Sequence, residues 1–115
     1  MLLQVQDGQG TPQTVITAGQ ETVTDLSGVI TATGGSQVLA SASTGRSGWF
    51  FQNQGVNNMF INELGAAATE VPAQDAGSIC VPPLGILRAP ADAPVTVAQL
   101  NVVGTSGDAY VFHQW

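Results

Sequence analysis

Followed for the alternation of apolar and polar positions, the chain breaks into short segments separated by glycine, proline and asparagine. Runs rich in Val, Ile, Thr and aromatic residues, the signature of strands, fall at 2–6, 14–17, 29–33, 37–41, 48–53, 58–62, 78–81, 85–88, 95–103 and 109–114. Alternation is clearest near the C-terminus, where Tyr110, Phe112 and Gln114 oppose Val111, His113 and Trp115. Trp49-Phe50-Phe51 is apolar without alternation, which predicts a strand covered on both faces. Gly34-Gly35 predicts a two-residue hairpin loop, since both residues take positive φ at little cost. Gln54-Gly55-Val56-Asn57 and Gly104-Thr105-Ser106-Gly107 mark two further turns between strand pairs. The one helix-like stretch, 64–70 with Ala66-Ala67-Ala68, is held to a turn or two by Gly65 and Pro72.

This pattern predicts an all-β, single-domain β-sandwich or jelly-roll-like domain of about eight to ten short strands, with a small barrel as the alternative. The segment from Gln4 to Pro12 is poor in apolar residues and holds Gly8 and Gly10. It reads as an extended N-terminal arm or edge strands over 1–28, leading into a sandwich body over 29–115.

Composition narrows the function. Lysine is absent, and Arg46 and Arg88 are the whole positive inventory against eight carboxylates, a net charge of −6. Phosphate neutralisation needs clustered Lys and Arg, so nucleic acid is not an expected partner; nor is an anionic membrane surface. No apolar run approaches the roughly 20 residues of a membrane span, and Met1-Leu2-Leu3-Gln4 turns polar at once, unlike a signal peptide. The chain is therefore expected to be made in the cytoplasm. Charged residues are only 9% of the chain, and Gln, Thr, Ser and Gly take their place, giving a neutral polar surface suited to packing against protein.

Candidate chemistry is thin. His113 is the only histidine, on a predicted strand with no GxSxG elbow to bring it a serine, and reads as structural or surface. Cys80 lies in an apolar run and reads as a core thiol. One cysteine and one histidine exclude a disulfide framework within the chain and a multi-cysteine or two-histidine metal site. Most carboxylates sit beside Gly, Pro or Ala in predicted turns, with no calcium-loop spacing, and the Gly-rich pieces lack a P-loop lysine. No residue is expected to be catalytic, to bind a cofactor or to ligate a metal. A hydrolase using paired carboxylates, with Glu63 and Asp108 as the pair to test, ranks last.

From Trp49 onward the order of segments resembles a known group. Gly48-Trp49-Phe50-Phe51-Gln52-Asn53-Gln54-Gly55 precedes Met59-Phe60-Ile61-Asn62-Glu63-Leu64-Gly65; then come Gly77-Ser78-Ile79-Cys80-Val81-Pro82-Pro83 and the Val-rich segment 94–105, with an aromatic at the end. This resembles the small virion structural proteins of tailed bacteriophages, over roughly residues 37–115. In that group an arginine opens the aromatic strand, whereas Arg46 stands two residues earlier; Gln114 here precedes the terminal tryptophan in place of a charged residue. The resemblance implies a capsid decoration (cement) protein that bridges neighbouring subunits of the major capsid protein at the capsid surface. It also implies a homo-oligomer, dimer or trimer. A head–tail or fibre-associated module that binds a receptor or glycan, with an exposed Trp49 or Trp115, is the alternative. The expected partner contacts are Met1, Leu2, Leu3 and Val5 of the arm, together with Arg46, Arg88 and Trp115. For the two arginines, pairing with Glu63 or Asp92 inside the chain competes with that role.

Overall fold

The computed structural model describes residues 22–70, 77–91 and 93–115, together with the backbone of two N-terminal strands. Among the described residues there is no helix. The strands are β1 (Gln4–Gln6), β2 (Pro12–Thr14), β3 (Thr24–Asp25), β4 (Gly28–Val29), β5 (Gln37–Ala40), β6 (Trp49–Asn53), β7 (Met59–Asn62), β8 (Ser78–Val81), β9 (Ile86–Ala89), β10 (Leu100–Val103) and β11 (Ala109–Gln114). β1 and β2 pair with each other as a two-stranded sheet. The rest form two antiparallel sheets. One runs β5-β10-β7-β8; the other runs β3-β11-β6-β9, with β4 also on β11. The first is the β7 sheet and the second the β6 sheet.

Following the chain, every connection from β4 to β11 except β7–β8 passes from one sheet to the other. That alternation is the jelly-roll order, a double-sheet solution that manages the edges of short strands. It also corrects three expectations. Gly34-Gly35, Gln54–Asn57 and Gly104–Gly107 are turns, but none closes a hairpin; each carries the chain across the core. Gly34 does adopt a φ of 75°, and its N–H donates to Gly104 O in a neighbouring crossover. Within the stretch expected as arm or edge strands, β3 and β4 pair with the two ends of β11 at the edge of its sheet.

Inward positions follow the pleat. Trp49, Phe51, Phe112, Met59, Ile61, Leu100 and Val102 are fully buried between the sheets, with Ile30, Leu39 and Tyr110 completing the core. Trp49 stacks on Phe112 and Phe51 on Tyr110, with ring centroids 6.0 and 5.7 Å apart. β6 is not covered on both faces: Phe50 and Gln52 point outward and are half-buried. Cys80 is likewise exposed, because Val81 takes the inward place on β8 and the pleat turns Cys80 out.

Residues 95–99 depart from the expected strand. Arg46 draws the carbonyls of Thr96 and Ala98 towards its guanidinium, Ser43 N–H donates to Val97 O, and the Thr96 hydroxyl accepts from Ala98 N–H. These bonds hold a loop, and β10 begins only at Leu100. The helical turn expected over 64–70 is also absent. Gly65 sits at a φ of 86°, and the N–H groups of Leu64, Ala68 and Thr69 donate to the side chains of Asn62, Ser36 and Ser78 rather than to helical carbonyls.

That 63–70 segment lies over the outer face of the β7 sheet. Asn101 Nδ2 donates to Ala66 O at 2.7 Å, and Asn62, Asn101 and Val103 are buried although they point away from the core. The middle of this face is roofed by the protein's own chain. The outer face of the β6 sheet has no such roof among the described residues.

Candidate functional site

Strand register places the outward side chains of the β6 sheet in rows. One row runs Arg88, Phe50, His113, Asp25 across β9, β6, β11 and β3. The next holds Ile86, Gln52 and Val111, and beyond it Ala109 stands opposite Val29. At the other end, Trp115 continues β11 by exchanging two backbone hydrogen bonds with Gly48, each 3.1 Å. The indole lies directly over Gly48, where any Cβ would stand 2.4 Å from the ring. Glycine is required there by the close approach of the ring.

The face is mostly apolar and open. Ile86 and Val29 are each 50% exposed, and Phe50, Val111, Ala109, His113 and Trp115 are half-buried. Phe50 and His113 face each other with ring centroids 6.4 Å apart. Among the described residues the only formal charges on these rows are Arg88 and Asp25, at opposite edges.

Asp25 is the most structured polar group here. Its Oδ1 accepts from Ser27 N–H at 3.0 Å and from the Ser27 hydroxyl at 2.6 Å, and lies 3.5 Å from His113 Nε2. The Ser27 bonds, with His113 adding a smaller attraction, hold the Asp25 carboxyl below its ordinary pKa. Ser, His and Asp meet, yet not as a nucleophile and its base: the Ser27 proton goes to the carboxylate, and its oxygen accepts from Phe112 N–H. The arrangement caps the broken edge strand between β3 and β4.

The residues expected to contact a partner separate. Arg46, expected at an interface, is 6% exposed. Its guanidinium donates to Gln114 Oε1, Thr96 O, Ala98 O and Ser41 O, four bonds of 2.6–2.9 Å. It serves the inside of the domain through carbonyl oxygens rather than Glu63; Asp92 lies outside the described residues. Arg88 and Trp115 do lie on the open face. Met1, Leu2 and Leu3 lie outside the described residues, and Val5 is placed only by the backbone of β1. Trp49, weighed as an exposed aromatic, is fully buried. Sequence reading missed Phe50, Val111 and Ile86 as surface groups; period-2 alternation from Trp49 and Phe112 inward would have found them.

Glu63 and Asp108 are not brought together. Asn62 pairs with Asn101 and Phe60 with Val103, so Glu63 follows the Asn101 end of the β7 sheet while Asp108 lies beyond the Val103 end. Asp108 there accepts from Asn57 N–H and Nδ2, both 3.1 Å. Glu63 Oε2 is buried without a hydrogen-bond partner, and burial raises the carboxyl's pKa. A raised folded-state pKa favours the native state below the unfolded pKa, and that advantage is lost as pH rises through the folded value. Glu63→Gln should therefore raise the melting temperature at pH 7 and leave it unchanged near pH 3; thermal melts at both values decide it. Among the described residues no group of three or more His, Cys, Asp or Glu is placed to hold a metal ion. Compared with protein-family models, curated proteins and solved structures, the chain matches none.

Proposed function

We propose that this protein is a non-enzymatic structural protein of a phage virion, which decorates the capsid and stabilises it by bridging neighbouring capsid subunits. The observation that carries the reading is the open outer face of the β6 sheet, with its exposed apolar and aromatic side chains, on a domain whose own loop roofs the middle of the other face. Exposed apolar and aromatic side chains gathered on one sheet face mark a surface that packs against protein. The segment order, which resembles that of small virion proteins, supports the same reading, as by analogy does the jelly roll, a fold that recurs in viral capsid and lectin domains. Repetition over a lattice multiplies a modest interface into a large stabilisation.

Trp115 favours a second reading, a receptor- or glycan-binding module. Its indole lies on Gly48, on the face that also carries Phe50 and His113, an aromatic platform with a polar ring at hand.

Quantitative mass spectrometry of purified source virions tests both. About one copy per major capsid subunit, or a simple fraction of that, is expected. A handful of copies per particle would overturn decoration in favour of the tail-associated module, and absence from virions would overturn both.

A further inference from the structure

The open face of the β6 sheet is self-complementary, and we infer that its occupant is a second copy of the same face. The inference rests on reading this face as a protein-docking surface, and adds the partner. A two-fold contact requires that residue i of one copy meet residue j of the other while j meets i. A two-fold axis running along the strands, between β11 and β6, exchanges those two central strands and the two edges β3 and β9. It sets Arg88 of each copy opposite Asp25 of the other.

The pairing follows from register. Arg88, Phe50, His113 and Asp25 occupy one row, three strand spacings wide or roughly 14 Å. The charges at its ends are opposite, and no other formal charge among the described residues stands on the face. The same rotation lays Phe50 on the partner's His113, and Gln52 on the partner's Val111. The Arg88 guanidinium presents five donors in a planar fork, so it can serve an internal acceptor and a carboxylate across the interface together. Beside the charged row lie Val111 and Ala109 on β11, with Ile86 and Val29 on the edge strands β9 and β4, the apolar area that such an interface needs. The two sheets then stack with strands aligned, the common geometry of sheet-on-sheet packing.

Size sets the strength. Four strands by five residues give a flat area of about 300 Å², below the roughly 800 Å² per partner of a standard interface. A weak dimer is expected, populated at high concentration in solution and favoured where a lattice already holds copies close.

Sedimentation velocity of the full chain over a range of concentrations, at about 0.15 M salt, tests this. The chain should pass from monomer to dimer. Arg88→Asp should weaken the dimer about tenfold or more, like charges now meeting at both edges; combining it with Asp25→Arg should restore the affinity. Asp25→Arg also breaks the Ser27 bonds, so Val111→Glu provides a second probe at the centre of the face. Val111→Glu should abolish dimers while leaving circular dichroism and the melting temperature near those of the parent. A monomer at all concentrations would overturn the inference, as would a dimer indifferent to both Arg88→Asp and Val111→Glu. A monomeric chain present at lattice copy number would do so while leaving the decoration reading standing; a dimer absent from virions would do the reverse.

Discussion

Arg46→Ala is expected to lower the unfolding free energy by about 3 kcal/mol, a large part of the 5–15 kcal/mol typical of a domain. Arg46 sits on the loop between β5 and β6, at the end of the sandwich where the β9–β10 loop and the end of β11 also converge. Its four hydrogen bonds reach one acceptor in the β5–β6 loop, two in the β9–β10 loop and one on β11. Truncation leaves the carbonyls of Ser41, Thr96 and Ala98 without the guanidinium, in a site where the side chain is almost wholly buried. Each buried acceptor so stranded costs about 1–3 kcal/mol, offset where water can enter. Burial lowers the guanidinium's pKa, yet arginine stays protonated. Arg46→Lys should recover less than half of the loss, because a single ammonium cannot reach acceptors that lie in three directions. Urea denaturation is the measurement: the midpoint should fall by about 2 M with the slope unchanged. A midpoint within about 0.3 M of the parent would show that solvent replaces the guanidinium at no cost.

Arg46 also shows where sequence reading stopped. The strands at 37–41, 58–62, 78–81 and 109–114 were legible because their alternation is local and burial enforces it. Val95, Thr96 and Val97 have equal strand propensity, but whether their carbonyls pair with a strand or with Arg46 depends on a residue about fifty positions away. Gly34-Gly35 announced a turn correctly, yet a turn within a sheet and a crossover between sheets share the same local chemistry. Sheet membership is decided by the core, where Trp49 must meet Phe112 and Ile61 must meet Val102. The candidate face was legible in half. Trp115 stood out as an aromatic, but Phe50 was hidden in a run of three, and its outward direction is set by the pleat of a strand whose two neighbours are distant in sequence. Asp25 and Arg88 could not have been paired as the two edges of one row before β3 and β9 were known to flank β11 and β6.

At the opposite end of the sandwich the corresponding polar side chain is Asn53, and its removal should cost about 2–3 kcal/mol. Asn53 is fully buried at the end of β6. Its Nδ2 donates to Val81 O of β8, in the other sheet, at 2.9 Å and to Asn57 O at 2.8 Å; its Oδ1 accepts from Gly55 N–H at 2.8 Å. Its backbone completes the set, with Asn53 N–H donating to Gly85 O and Leu84 N–H donating to Asn53 O. One residue therefore ties the β6–β7 crossover, the β8–β9 crossover and the two sheets. Asn53→Ala keeps the backbone bonds but leaves three side-chain bonds unmade. Asn53→Asp is the sharper experiment, since it keeps the shape and aims a carboxylate oxygen at two carbonyls that expect a donor. At pH 7 it should destabilise more than Asn53→Ala, because a buried charge is left facing like-signed dipoles. The introduced carboxyl gains a proton more readily in the folded state, so its pKa rises there and the penalty must shrink as pH falls. Urea midpoints of the parent and both variants, taken from pH 8 down to pH 4, should converge for Asn53→Asp and run parallel for Asn53→Ala. Parallel curves for both would mean that the amide donates nothing the fold depends on, and the two sheets would owe their joining at this end to the apolar core alone.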